Sequence, residues 1–189
     1  MDNTKTSGMT RRGLLAALAA TAVTAAPTYA NAQGFLRGAG DIRRIAMFNG
    51  RTGETLDTIY WIEGEYIAEA VREINVHMRD WRTGEAVQMD LRTIDIMSGA
   101  KRLMETNEPY LLLSGYRSPA TNAMLGQRGV GVARESLHMR GQAADLRLRS
   151  RSITQMASAA SAFGAGGVGR YGGSNFVHMD CGPVRTWRG

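Results

Sequence analysis

The alternation of apolar and polar positions predicts six short strands. They cover residues 44–48, 56–61, 109–114, 143–148, 168–171 and 176–180. The first two are joined across Asn-Gly at residues 49–50, a strong turn signal, and the last two across a Gly-Gly-Ser turn at residues 172–174. Both pairs are therefore predicted to form β-hairpins.

Longer segments show the period of an α-helix. From Glu65 to about Gly84, apolar residues recur at helical spacing, and they are Ile67, Val71, Ile74 and Met78. Further helices are predicted over about residues 90–106 and 153–163, and a short one begins at Ser118-Pro119. The late strands have short connections. The pattern predicts one compact α+β domain, with a central antiparallel sheet flanked by helices.

The first 32 residues have the character of an export signal. Paired arginines at residues 11–12 precede an apolar, alanine-rich stretch over residues 14–26, which is shorter than the roughly 20 residues of a membrane span. Ala-Asn-Ala at residues 30–32 is typical of a cleavage site. The paired arginines favour the twin-arginine route, with a Sec signal as the alternative. We expect a periplasmic protein with no stable membrane anchor after cleavage, a flexible lead-in over residues 33–42, and one domain over residues 43–189.

Net charge limits the kinds of binding partner, and cysteine content limits the disulfide bonds that the chain can form. The formal charge is +6, and removal of the leader, which carries three basic residues and one acid, lowers it to +4. A modestly basic exported protein suits an anionic wall polymer. Nucleic acid is a poor partner, because no basic run is interleaved with aromatic residues. The single cysteine, Cys181, excludes an internal disulfide, and we expect it to be buried and inert.

Two of the three histidines lie in segments that suggest chemistry. His138 precedes a glycine and small residues that lead to Asp145, an aspartate inside an apolar strand, where an unpaired charge is costly. His178 and Asp180 are two apart on another strand and share a face. If the two strands are neighbours, His138, Asp145 and His178 converge as a set typical of catalytic zinc. Without a metal, they are hydrogen-bonded strand residues. His77, on the first helix, is interpreted as a packing or surface residue.

A third segment carries a candidate substrate contact. Ser114 to Pro119 forms a turn between a strand and a helix, and it presents Arg117 just before the helix N-terminus. Guanidinium donors beside exposed backbone N–H groups suit an anion or a polarised carbonyl. The alternative is that Arg117 simply pairs with an acid near the turn.

Taken in order, three motifs carry a family resemblance. Ser-Gly-Tyr-Arg-Ser-Pro, Ser-x-His-x-x-Gly-x-Ala-x-Asp and Phe-Val-His-x-Asp resemble the murein endopeptidase K branch of the zinc D-Ala-D-Ala metallopeptidases. That branch belongs to a wider group with the lysostaphin-type peptidases and the hedgehog signalling domain. The segments over residues 49–54, 74–75 and 79–85 also fit, so the resemblance covers roughly residues 42–189. It implies a hedgehog/D-Ala-D-Ala peptidase-like fold.

The resemblance also implies a function. It implies that His138, Asp145 and His178 bind one zinc ion per chain and that Arg117 contacts the substrate or its developing oxyanion. Ser136 is expected to shape the loop that carries His138. The implied activity is cleavage of peptide cross-links in peptidoglycan, with 3–3 diaminopimelate links and 4–3 links as the alternatives. The oligomeric state is left open. Two alternatives remain: a D,D-carboxypeptidase or dipeptidase acting on free peptide ends, and a metal-stabilised wall-binding module without turnover.

The sequence departs from the family pattern at the general base. Several relatives place an acid three residues before the last histidine ligand, where this chain has Asn175. Others place a histidine two residues before it, where this chain has Phe176. Asp180, on the same strand face as His178, is therefore predicted to carry the proton. The alternative is that Asp180 orients His178 from behind the metal.

Overall fold

The computed structural model describes residues 42–129 and 132–189, so the predicted export signal and the lead-in up to residue 41 lie outside it. The strands are β1 (Ile42–Asn49), β2 (Thr55–Ile62), β3 (Glu65–Tyr66), β4 (Tyr110–Ser114), β5 (Ala143–Arg147), β6 (Gly167–Tyr171), β7 (Phe176–Asp180) and β8 (Arg185–Arg188). The helices are α1 (Ala68–His77), α2 (Leu91–Leu103), α3 (Pro119–Gln127) and α4 (Ile153–Ser161), with a 3₁₀ turn at Leu137–Arg140. Over these two ranges, none of the helices has the length and apolar character needed to span a bilayer.

The predicted α+β class is confirmed, and the sheet is mixed. Its eight strands lie in the order β3-β2-β1-β4-β5-β7-β6-β8. Most neighbours are antiparallel, as predicted, but β1 pairs with β4 and β6 pairs with β8 in parallel. The two parallel pairs have separate origins. The chain returns to β1 only after two helices, and β8 reverses after β7 to lie beside β6.

One hydrophobic core lies between the helices and one face of the sheet. Residues of α1, α2 and α4 pack there against alternate residues of the strands, and they include Ile74, Ile94, Met97, Met156, Met47, Leu112, Leu146 and Met179. Because successive strand residues point to opposite faces, the residues between them emerge on the other face. Asp145 and His178 lie there, which separates the candidate site from the core.

The first helix is shorter than the apolar pattern predicted. Residues Glu65–Tyr66 pair with β2, and α1 ends at His77, which is buried at its C-terminus. The chain then turns, because the Asp80 carbonyl accepts the N–H groups of Thr83 and Gly84. The apolar stripe still faces the core, since Ile74 and Met78 are fully buried.

This turn holds the segment that carries Arg117. Gly115 passes so close to Met78 that a Cβ atom there would lie 2.3 Å from the Met78 carbonyl oxygen. The Ser118 backbone N–H donates to the Asp80 carboxylate at 2.9 Å. Asp80 is 1% exposed. The conformation on either side of Arg117 is therefore fixed by contacts made about 38 residues earlier in the chain.

Candidate metal centre

Three elements bring the predicted ligands together. Asp145 on β5 and His178 on β7 are directly paired in the antiparallel register, so their side chains share one face. His138 comes from the 3₁₀ turn that precedes β5. All three are buried, with exposed fractions of 2% for His138 and 9% for the other two. The predicted neighbouring strands are thus present in the structure, and they place these residues in one cluster.

His138 is oriented by the main chain. Its backbone N–H donates to the Ser136 side chain at 3.4 Å, and Ser136 is the N-cap of the turn. Its Nδ1 lies 2.7 Å from the Gly115 carbonyl oxygen. A carbonyl can only accept, so Nδ1 carries the proton and Nε2 presents a lone pair to the cluster.

His178 is oriented by a carboxylate. Its Nε2 lies 2.9 Å from Asp180 Oδ2, so Nε2 carries the proton of the neutral ring. Its Nδ1 then presents a lone pair at 2.9 Å from Asp145 Oδ1. A histidine ligand that donates its other ring N–H to a carboxylate is the usual arrangement around protein-bound metals.

The three facing atoms have the spacing of a metal site. His138 Nε2 lies 3.2 Å from His178 Nδ1 and 3.3 Å from Asp145 Oδ1. Ligands about 2.0–2.1 Å from a tetrahedral zinc ion are separated by about 3.3–3.4 Å. With both other ring nitrogens donating elsewhere, three lone pairs face one another at these distances. Such an arrangement calls for a cation between them.

The electrostatics of the cluster agree with that requirement. Burial would lower the pKa of His178, but the carboxylates of Asp145 and Asp180 outweigh burial and raise it to about 9, so a proton occupies Nδ1 unless a metal ion competes for its lone pair. Burial would also raise the pKa of Asp145, yet His138 and His178 hold it well below its usual range. The cluster therefore stabilises an ionised carboxylate together with added positive charge.

Arg117 borders the cluster on the side of Asp145. Its Nη2 lies 3.5 Å from Asp145 Oδ2, and its Nη1 donates to Asn122 Oδ1 at 3.2 Å. Arg117 is 7% exposed, and its Nε has no partner among the described residues. Burial lowers the pKa of Arg117, with the nearby Asp145 acting in the opposite direction. A charged donor is thus held beside the cluster with hydrogen-bonding capacity left over.

Asp180 lies behind His178 and is fully buried. Besides His178, its carboxylate accepts from the backbone N–H groups of Gly167 at 3.0 Å and Gly182 at 2.9 Å. Arg185 adds two further hydrogen bonds at 2.7 and 3.1 Å. With its oxygens occupied in this way, the geometry favours the orienting role over the proton-carrying role.

Asn175 and Phe176 stand at the positions where relatives have a general base, and neither belongs to the cluster. Asn175 is exposed in the turn between β6 and β7, where its φ is 52°. Phe176 stacks on Tyr171, with ring centroids 4.4 Å apart.

Cys181 is buried as predicted, and burial raises its pKa to about 11, which keeps it a thiol.

Two aromatic residues that the sequence did not single out border the cluster. The Trp187 ring lies 5.3 Å from the His178 imidazole, and its Nε1–H donates to the Tyr171 hydroxyl at 3.0 Å. Trp187 crosses β6 at Gly169, where a Cβ atom would lie 2.5 Å from the indole. The glycine at this position was the available sequence signal, but it is informative only once β8 is known to lie beside β6.

The family model described as "Peptidoglycan L,D-endopeptidase MepK" matches residues 37–187. The chain belongs to this family. It is 37% identical over 145 residues to the peptidoglycan L,D-endopeptidase MepK of Escherichia coli strain K12, covering 77% of this chain and 80% of that protein. The probable MepK of Haemophilus influenzae is 36% identical over 148 residues, with the same coverage.

Membership of the MepK family confirms the resemblance drawn from the three motifs. The family match extends over nearly the whole described region, so it includes the metal cluster, Arg117 and the Tyr171–Trp187 pair. The protein is therefore a member of a peptidase family, and its fold carries a possible His/Asp metal site.

Proposed function

We propose that this protein is a zinc-dependent endopeptidase that hydrolyses amide bonds in the peptide cross-links of peptidoglycan. The observation that carries the proposal is the convergence of His138 Nε2, Asp145 Oδ1 and His178 Nδ1, each oriented by a partner that leaves its lone pair directed inward. Relatives named as peptidoglycan L,D-endopeptidases supply the substrate class. The signal-like leader supports action in the periplasm, reached by the twin-arginine route.

The choice of zinc rests on the donor set. Two imidazoles and one carboxylate leave a fourth tetrahedral position open, which is the arrangement of catalytic rather than structural zinc sites. When bound, zinc supplies a Lewis acid that can acidify water and polarise an amide carbonyl. His138, Asp145 and His178 would hold the ion, and one ion per chain is expected.

The remaining residues act on the substrate or on the ligands. Arg117, with an unpartnered Nε and a buried positive charge, donates to the amide oxygen as negative charge develops there. Asp180 fixes the His178 ring rather than carrying a proton. Arg185 and two backbone N–H groups hold Asp180 ionised, since burial would raise its pKa but His178 and Arg185 lower it well below the usual range.

Tyr171 is our candidate for the proton donor that the family pattern leaves open. Because the Tyr171 hydroxyl oxygen accepts from Trp187, its own proton is available to another group. Tyr171 lies diagonally across β6 and β7 from His178, a spacing that aromatic side chains can bridge. The tyrosine can thus donate to the departing amine or to the amide oxygen.

The direct test combines metal content with digestion of purified sacculi. We expect one zinc ion per wild-type chain and release of cross-link peptides, and we expect His138→Ala to lose both. His77→Gln, which changes a buried histidine outside the cluster, is the matched control and should retain the metal. A His138→Ala protein that keeps one zinc ion with unchanged affinity would contradict the ligand set.

The products separate the proposed activity from its alternatives. An endopeptidase converts cross-linked muropeptide dimers into monomers, which chromatography with mass spectrometry detects. Loss of a terminal residue without separation of dimers would instead indicate a carboxypeptidase. Zinc binding without any product would indicate a wall-binding module.

A further inference from the structure

A groove rich in arginine lies next to the candidate metal centre and includes Arg147 of β5 and Phe176 of β7 in its walls. It consists of two adjoining hollows of about 430 and 610 Å³, which share Leu111 and Arg147 in their walls. Arg51 and Phe176 line the smaller hollow, and Arg149 and Arg151 line the larger one. No aspartate or glutamate is among the described residues that line either hollow. The walls of the groove therefore carry positive charge, and the acid that borders the larger hollow is Glu108, whose carboxylate accepts from the backbone N–H groups of Arg149 and Ser150.

Arg147 lies at the centre of this groove, next to the candidate ligands. It follows Asp145 by two residues on β5, so both side chains emerge on the same face, about 7 Å apart at the 3.3–3.4 Å rise of a strand. Phe176 precedes His178 by two residues on the neighbouring strand, also on that face. The row that contains Arg147 and Phe176 is thus one pleat away from the row that contains the metal ligands.

The guanidinium of Arg147 is held in place by the turn between β6 and β7. Its Nε donates to the Asn175 carbonyl at 2.5 Å and its Nη2 to the Ser174 carbonyl at 2.7 Å. In the described part of the chain, Nη1 has no acceptor and no acid forms an ion pair with Arg147. Neutral carbonyls fix the side chain without cancelling its charge, which leaves a preorganised donor directed at a ligand.

The flanking residues suit a carboxylate on a peptide. Arg51 contributes a second guanidinium, whose nearest aromatic contact is the Trp81 ring at 5.5 Å. Leu111 and Phe176 provide apolar wall beside the two charges. An anionic group carried on an aliphatic chain satisfies both features, whereas a free inorganic anion would leave the apolar wall uncovered.

We propose that this groove binds a carboxylate of the peptide substrate, with Arg147 as its principal contact. Since an extended peptide advances about 3.3–3.6 Å per residue, a 7 Å separation places the carboxylate about two residues from the scissile amide. The proposal rests on the proposed function, because it takes the cleaved peptide as the occupant. It assigns to Arg147 a role in recognition and none in the chemical step.

The test compares binding of two probes to the full-length mature protein. The first is a cross-linked muropeptide dimer from Escherichia coli sacculi, and the second is the same dimer with its carboxylates converted to carboxamides. Calorimetry on metal-free protein measures binding without turnover, and zinc-loaded protein gives the hydrolysis rate. We expect wild type to bind the carboxylate form at least tenfold more tightly, and Arg147→Gln to bind the two forms within about twofold.

Two further variants keep the result interpretable. Arg147→Lys retains the charge but loses the planar guanidinium, so it should keep part of the preference and show that the fold of the turn is intact. Arg102→Gln removes a positive charge from an exposed position at the end of α2 and should keep the full preference. Thermal unfolding of every variant verifies that each is folded.

The outcomes separate this inference from the proposed function. Equal binding of the two probes by wild type, or an unchanged preference in Arg147→Gln, overturns the carboxylate site even if hydrolysis proceeds. A preference that depends on Arg147 in a protein that hydrolyses neither probe supports the site and contradicts the peptidase.

Discussion

Two buried carboxylates in this protein are equally hidden from solvent and have opposite surroundings. Asp95 and Asp145 are 7% and 9% exposed. Asp95 is surrounded by donors, since it accepts from Arg43 at 2.7 Å, Tyr60 at 2.9 Å and Tyr66 at 2.7 Å. Asp145 faces ring nitrogens that carry no proton in the neutral tautomers described above.

The partners of a buried carboxylate thus distinguish an acid that stabilises the fold from an acid in a candidate metal site. The Asp95 cluster is complete, because a cation and two hydroxyl groups are supplied by the chain itself. In the Asp145 cluster the chain supplies two imidazole lone pairs instead, and its cation, Arg117, lies 3.5 Å from the outer oxygen of the carboxylate. Burial alone therefore does not reveal the role of an aspartate. That role depends on the hydrogen-bond donors around its carboxylate.

Removal of metal should give the largest effect of all, the complete loss of activity, and should act on one cluster only. We expect chelation to reduce hydrolysis of sacculi to background and added zinc to restore it. At a metal concentration about 100 times the Kd, the free energy of unfolding should rise by about 2.7 kcal/mol. Differential scanning calorimetry measures this change, and a melting temperature independent of zinc would contradict a preformed site.

Asp95→Ala should give the next largest effect, through stability. It leaves the Arg43 guanidinium buried and unpaired, which should lower the free energy of unfolding by about 3–5 kcal/mol. Urea titration measures the loss. Asp57→Ala, which breaks an exposed ion pair with Arg44, is the control and should cost much less. Zinc content per folded chain should stay at one, and a parallel loss of zinc would mean that the two clusters are coupled.

Asp180→Asn should weaken the metal site without removing a ligand. It keeps the size of the side chain but removes the charge that orients His178, so zinc affinity should fall by about 10- to 100-fold. Competition with a coloured chelator measures the affinity. Asp90→Asn changes a partly buried aspartate outside the cluster, at the N-cap of α2, and should leave the affinity unchanged. If Asp180→Asn keeps full zinc affinity but loses turnover, Asp180 carries a proton after all.

Tyr171→Phe should give the smallest effect, confined to turnover. The ring can still stack on Phe176, and only the hydroxyl bonded to Trp187 is lost. General acid catalysis typically contributes about 10²–10⁴-fold, but a water molecule can take over part of the donation, so we expect kcat to fall by about tenfold, with KM and zinc content unchanged. Tyr66→Phe removes a hydroxyl from the Asp95 cluster and should not change kcat. An unchanged kcat in Tyr171→Phe would exclude this tyrosine as the proton donor.

Local sequence signals were sufficient to predict that the three candidate ligands lie together and to predict most elements. Asp145 in an apolar strand, and His178 two residues before an aspartate, are anomalies visible in a few residues, and their pairing follows from adjacent strands. The turns at residues 49–50 and 172–174 were signalled by glycine, and both hairpins are present.

Features that depend on distant pairing could not be predicted in the same way. The parallel placement of β8 beside β6 brings Trp187 to His178. No sequence pattern within residues 185–188 predicts this pairing. The early end of α1 at His77 depends on contacts of the following turn with Gly115 and Ser118. The role of Asp180 was ambiguous for the same reason, because Gly167 and Arg185 occupy its oxygens only in the folded sheet.

The two histidines of the candidate metal centre differ in how easily a mutation could change their orientation. His138 is held by the carbonyl of Gly115, a main-chain group that no single substitution can delete. His178 is held by the side chain of Asp180, which one codon change can alter. Substitutions at Asp180 on β7 are therefore the most direct way to adjust metal affinity, in evolution or by protein engineering. The orientation of His138 stays constant as long as the fold persists.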